Sequence, residues 1–343
     1  GHAFATDGIL LGPILEEFKI KKAELLQDTH DVFVKGLTQK GLTAPEQPLD
    51  LKLTVQGGVG TADEHKFLLE NYLVDSVGWG SPFLLVPEAT SVDTNTRTLL
   101  ANAIEKDFYL SDISPLGIPF NTIKGTTNEY HKQKRIENNK AGSSCPKKYL
   151  ALSKELGPEG ICTASKKYQD IKLQELETQR LEISQDIYEN KKNKINEKAC
   201  LCVGLANASF LENNIKIKGQ EQGVVICPGP NMAYFNTEVS LFKMMRHIYG
   251  SDSVLSNIYR PNMFIKELKM YIDYLKKEIE TFSENVTNKQ SKKWEVFKSN
   301  LFDGIVYYQN LFPTSGKEEN VIIQKELKFY KEELITVSLP VLV

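Results

Sequence analysis

The sequence contains no long apolar run. No stretch approaches the roughly 18 uncharged apolar residues that a membrane-spanning helix needs. The first residues also lack a basic segment followed by an apolar one, so neither a bilayer span nor a secretory signal is expected. An excess of one charge is missing too: Lys+Arg 42 against Asp+Glu 44 leaves a formal net charge of −2. That balance argues against the basic surface of a dedicated nucleic-acid-binding protein. Cysteine is sparse, with five in 343 residues, too few and odd in number for a secreted disulfide framework. These absences predict a soluble, cytoplasmic protein with neither membrane nor nucleic acid as partner. An initiator Met is also absent. The opening Gly1-His2-Ala3-Phe4 predicts a tag remnant, a processed terminus or a piece of a longer polypeptide.

What is present suits a globular chain of about two domains at roughly 100 to 200 residues each. Leu10, Leu11, Ile14, Leu15, Phe18, Leu25 and Leu26 recur at helical spacing and predict a helix over residues 9–42. Residues 51–56 read as a strand ending in Gly57-Gly58. Thr61 and Glu64 form a capping-box start for a helix to about Tyr72. Residues 74–79 read as a second strand, followed by Gly80-Ser81-Pro82. Strand, glycine turn, helix, strand, glycine turn predicts a βαβ unit with parallel strands. A helix is expected over 94–106, loop over 108–125, a basic excursion over 126–148, and helices over 166–199, 261–283 and 290–311.

The glycine turns carry the first chemical expectation. Two neighbouring parallel strands that end in glycine bring unobstructed backbone N–H groups to one sheet edge, where a phosphate can accept them. In (β/α)8 barrels a phosphate site often follows the last two strands, beside a short extra helix, which residues 81–84 could form. From spacing alone, tight turns account for these glycines equally well.

In order, Gly1-His2, Gly57-Gly58-Val59, Gly80-Ser81-Pro82-Phe83-Leu84 and Pro87-Glu88 resemble the C-terminal part of flavin-dependent barrels of the nitronate monooxygenase (2-nitropropane dioxygenase) type, which include flavin enoyl reductases. A further echo runs from Asn102 to Thr126, through Asp112-Ile-Ser-Pro-Leu-Gly-Ile-Pro119. The resemblance implies that Gly57, Gly58, Gly80 and Ser81 hold the phosphate of FMN, Ser81 standing where the family usually has Thr. It also implies that His2 acts as base or substrate orienter. A whole barrel takes about 250 residues, and His2 already matches a late strand. About five strands are therefore expected to lie outside this chain, leaving it inactive alone.

The cysteines carry the second expectation. Cys145, Cys162, Cys200, Cys202 and Cys227 all fall in segment 145–227. Thiolates from this set could bind an iron–sulfur cluster or zinc; buried thiols and a redox disulfide are the alternatives. His65, His131 and His247 have no metal-ligand spacing and are expected to be solvated or structural.

The expected fold class is α/β: the C-terminal portion of a TIM-type (β/α)8 barrel over 1–125, followed by a mostly helical extension over 126–343. The expected function is FMN-dependent oxidation or reduction of a small organic substrate, with homo-oligomerisation left open. The alternatives are a non-catalytic assembly module with a structural metal, and a barrel that binds a phosphorylated ligand without redox work.

Overall fold

The computed structural model describes residues 7–117, 120–145, 147–217, 222–229, 231–255, 257–282 and 286–340. The single helix expected over 9–42 is two helices, α1 (Leu11–Ile20) and α2 (Lys22–Gln39), because Lys21 leaves helical geometry at φ −96° and ψ 15°. Strand β1 (Thr54–Gln56), helix α3 (Ala62–Tyr72) and strand β2 (Ser76–Gly78) form the expected βαβ unit. The strands are parallel, with Val55 opposite Val77 and Gln56 opposite Gly78, so both run out at one edge.

After β2 comes a short 3₁₀ turn, Ser81–Leu85, then α4 (Thr94–Asn102). The loop expected over 108–125 is an antiparallel pair, β3 (Phe108–Ser111) and β4 (Phe120–Ile123), with Phe108 opposite Ile123. Aromatic and β-branched residues make these strands, and Pro115 and Gly117 fall in the connection between them. The basic excursion opens with α5 (Thr127–Glu137). The helical stretch 166–199 is divided into α6 (Lys166–Thr178) and α7 (Gln185–Glu197), since Ser184 caps a new helix by accepting from the Ile187 N–H. Then follow α8 (Leu201–Glu212), α9 (Leu241–Ile248), α10 (Met263–Phe282), α11 (Asn288–Leu311) and α12 (Glu318–Thr336).

The chain divides into two compact units: Gly80–Ile258 forms one, and the described parts of Phe4–Trp79 and Tyr259–Val343 form the other. The boundary expected near residue 125 thus falls inside the first of these. The last three helices pack with the βαβ unit because their apolar stripes need cover. Phe264, Leu268 and Leu275 of α10, Phe297, Leu301 and Ile305 of α11, and Leu327 and Leu334 of α12 share one buried core with Leu10, Val55, Leu68 and Tyr72. Each such side chain contributes about 1.5–3 kcal/mol on burial. Helix α1 has no side-chain cap of its own. Its free N-terminal donors are met from this core instead: Glu267 accepts from the Leu11 N–H at 2.8 Å, and the Tyr308 hydroxyl accepts from the Gly12 N–H at 3.1 Å.

The class is therefore mixed α/β, with two separate two-stranded sheets among the described residues. Among the described residues no sheet closes into a barrel, and no helix is long and apolar enough to cross a membrane.

Candidate functional site

The first glycine corner follows β1. Gly57 and Gly58 have φ +109° and +78°, conformations that side chains with a Cβ resist. Nothing stands within 4 Å of where a Cβ on Gly57 would be, so its outer side is open. Beyond the corner, Thr61 starts α3 by accepting from the Glu64 N–H at 3.1 Å. Glu64 reaches back one residue past the cap and accepts from the Gly60 N–H at 2.8 Å.

Glu64 then meets the other end of the chain. Its two oxygens accept from the Arg260 guanidinium at 2.7 and 2.9 Å, and Oε1 also accepts from the Met263 N–H at 2.7 Å. Arg260 donates in addition to the Gly58 carbonyl at 2.9 Å. Both charged side chains are almost fully covered, 6% and 5% exposed. A Cβ at Gly60 would lie 2.6 Å from Arg260 Nε, so a side chain there would displace the guanidinium. The anion bound at Gly60 is thus a carboxylate of the protein itself, and a phosphate approaching the corner would have to do so over Gly57. Sequence reading found Thr61 and Glu64 but missed Arg260, for which local spacing offers no signal.

Nearby, the Trp79 indole N–H donates to His65 Nδ1 at 3.0 Å, and burial lowers the His65 pKa.

Gly80 and Ser81 belong to the other unit. Gly80 has φ −118° and open space around its Cβ position, so its backbone does not require glycine. Ser81 opens the 3₁₀ turn. Pro82 has no N–H, and the Phe83 N–H is used by the Gly80 carbonyl, so this turn offers few donors to an anion. His2 lies outside the described residues.

The same unit holds the cysteines, all free thiols, with Cys162 buried and the others half-buried. Cys145, Cys200 and Cys202 lie near enough to Cys162 to act on it electrostatically, and Cys145 and Cys202 act on Cys200 in the same way. Burial pushes the Cys162 thiol up to about 11 and raises Cys200 as well. Burial also raises Cys227, whose thiol is met by backbone hydrogen bonds from Gly229 and Asn121. Among the described residues, no group of three or more His, Cys, Asp and Glu side chains is arranged to hold a metal ion.

His247 is buried in α9, with the Val254 N–H directed at its Nδ1 at 3.4 Å and the Phe235 ring against it edge-on. Comparison with models of known protein families gave no match, and comparison with curated proteins gave none either.

Proposed function

We propose that the chain contributes the phosphate-binding end of a cytoplasmic, FMN-dependent oxidoreductase of the nitronate monooxygenase or flavin enoyl reductase type. In this reading β1, α3 and β2 are the last strands and helix of a (β/α)8 barrel. One observation carries it: the parallel pair β1–β2 runs out at one edge into a corner where Gly57 has positive φ and open space over its backbone. The residues present fit the phosphate of such a group at Gly57. The Gly60 N–H is committed to Glu64, whose charge is balanced by Arg260.

When bound, a flavin supplies hydride or electron exchange with an organic substrate. The protein's own residues do the holding. Gly57 and Gly58 allow close backbone approach, and the Glu64–Arg260 pair ties the corner to the start of α10.

The test is the absorbance spectrum of the purified full chain, before and after incubation with FMN and desalting. A retained flavin spectrum supports the assignment. A folded, colourless protein that returns all added FMN overturns it.

A further inference from the structure

We propose that the cleft lined by residues 143–145, residues 148–162 and the start of α6 binds a small phosphomonoester that carries an apolar body. The inference does not rest on the flavin reading, since this cleft shares no residue with the glycine corner after β1.

The cleft lies wholly within the unit Gly80–Ile258 and has a volume of about 730 Å3, a size that suits a small organic ligand. Two backbone bridges build its frame. The Ser143 N–H donates to the Ala164 carbonyl at 3.1 Å and the Lys166 N–H to the Ser143 carbonyl at 3.0 Å, which ties the chain before Cys145 to the start of α6. Ser153 and Ile161 exchange hydrogen bonds at 3.1 and 2.8 Å, which closes residues 153–161 into a loop. In that loop Gly160 has φ +73°, and a Cβ there would run into the Ala151 carbonyl, so the wall requires glycine at this point. The frame is main chain, and the lysines that line it are left to meet a ligand.

Charge selects that ligand. Lys148, Lys166 and Lys167 line the cleft against a single carboxylate, Glu159. Among the described residues none of these three lysines has an ion-pair partner, because the neighbouring carboxylates are committed elsewhere: Glu155 and Glu175 both pair with Lys172, and Glu155 also accepts from the Tyr168 hydroxyl at 2.8 Å. A water-facing helix surface alternates its charges, as α6 does at Lys172 and Glu175; the cleft does not. Its surplus is two positive charges, in a chain whose formal net charge is −2. A phosphomonoester near pH 7 carries about −1.5 to −2 and matches it. Ammonium groups on flexible stems act as point charges around a tetrahedral anion, whereas a planar carboxylate is better met by a guanidinium fork. Leu156, Pro158 and Ile161 line the same cleft. Inorganic phosphate would leave them in water, and an apolar body joined to the phosphate covers them.

The experiment is isothermal titration calorimetry of the full chain at about 0.15 M salt, which screens unspecific attraction beyond about 8 Å. The probes are phenyl phosphate, inorganic phosphate and phenol. Phenyl phosphate should bind saturably and more tightly than either of the others. Lys148→Gln should weaken it about tenfold, the loss of one charge-assisted hydrogen bond, and the triple variant Lys148→Gln, Lys166→Gln, Lys167→Gln should abolish binding. Lys154→Gln, which changes an exposed lysine of the same loop outside the lining, should leave affinity unchanged. All the substituted lysines are exposed, so circular dichroism should remain native; should the triple variant lose its fold, Lys148→Gln alone decides. No binding of phenyl phosphate, binding no tighter than that of inorganic phosphate or phenol, or equal losses in Lys148→Gln and Lys154→Gln overturns the proposal, as does full affinity in Lys148→Gln or in a folded triple variant.

Discussion

Arg260 and Glu64, 196 residues apart in sequence, form a two-pronged buried ion pair that locks the glycine corner of β1 to the start of α10. Fork-to-fork pairing satisfies both carboxylate oxygens, and the Gly60 and Met263 N–H groups complete the set. Removing one partner strands the other as a buried charge. Arg260→Ala and Glu64→Ala should each cost about 3–5 kcal/mol, read by urea denaturation. The double variant should cost much less than the sum. Additive losses would mean that the pair contributes nothing as a pair.

The two glycine corners should respond differently to a methyl group. Gly57 has φ +109°, so Gly57→Ala should destabilise by about 1 kcal/mol or more through backbone strain. Gly80 has negative φ and an empty Cβ position, so Gly80→Ala should change stability by no more than about 0.5 kcal/mol. Thermal denaturation of both variants checks the contrast, and equal losses would count against it.

Leu10 packs on the backbone of α11 at Gly304, where a Cβ would stand 2.5 Å from Leu10 Cδ1 and 2.8 Å from Cγ. Gly304→Ala should cost about 1–3 kcal/mol by overpacking. A double-mutant cycle with Leu10→Ala should show coupling, since the smaller side chain vacates the clash. No coupling would place the cost elsewhere, for instance in α11 alone.

Glu267 of α10 lies against the helical core, and burial raises its pKa to about 7 despite the hydrogen bonds from Tyr308 and the Leu11 N–H. The folded state therefore holds this proton more tightly than the unfolded chain, whose ordinary value is 4.5. Below pH 4.5 the group makes no difference. As pH rises from 4.5 to 7, the unfolded chain ionises first and stability falls. Above 7 the loss levels off, on the order of 3 kcal/mol. Glu267→Gln should flatten the pH dependence of unfolding in that window. An unchanged slope would mean that another group carries it.

The Gly-Thr-x-x-Glu pattern shows what the sequence could and could not tell. At Gly60-Thr61-Ala62-Asp63-Glu64 it identified the start of α3, and the pair of strands around that helix followed from their short β-rich runs. The same pattern recurs at Gly125-Thr126-Thr127-Asn128-Glu129. There Thr126 accepts from the Glu129 N–H and Glu129 from the Gly125 N–H, but the basic composition that follows concealed α5. The prolines and glycine between β3 and β4 likewise concealed a hairpin whose strands are only four residues each. A kink at Lys21 and a new cap at Ser184 each need one residue to leave helical geometry, which periodicity averages away. Arg260 and its pairing with Glu64 were beyond local reading for a different reason. They depend on packing between distant segments, so no spacing encodes them.

The most direct measurement is a titration of the folded full chain with FMN and with riboflavin, which lacks the phosphate, followed by flavin fluorescence. The account predicts saturable binding of FMN, markedly weaker binding of riboflavin, and loss of that preference in a Gly57→Ala variant whose circular dichroism remains native. Equal binding of the two flavins, or binding of neither, would contradict it.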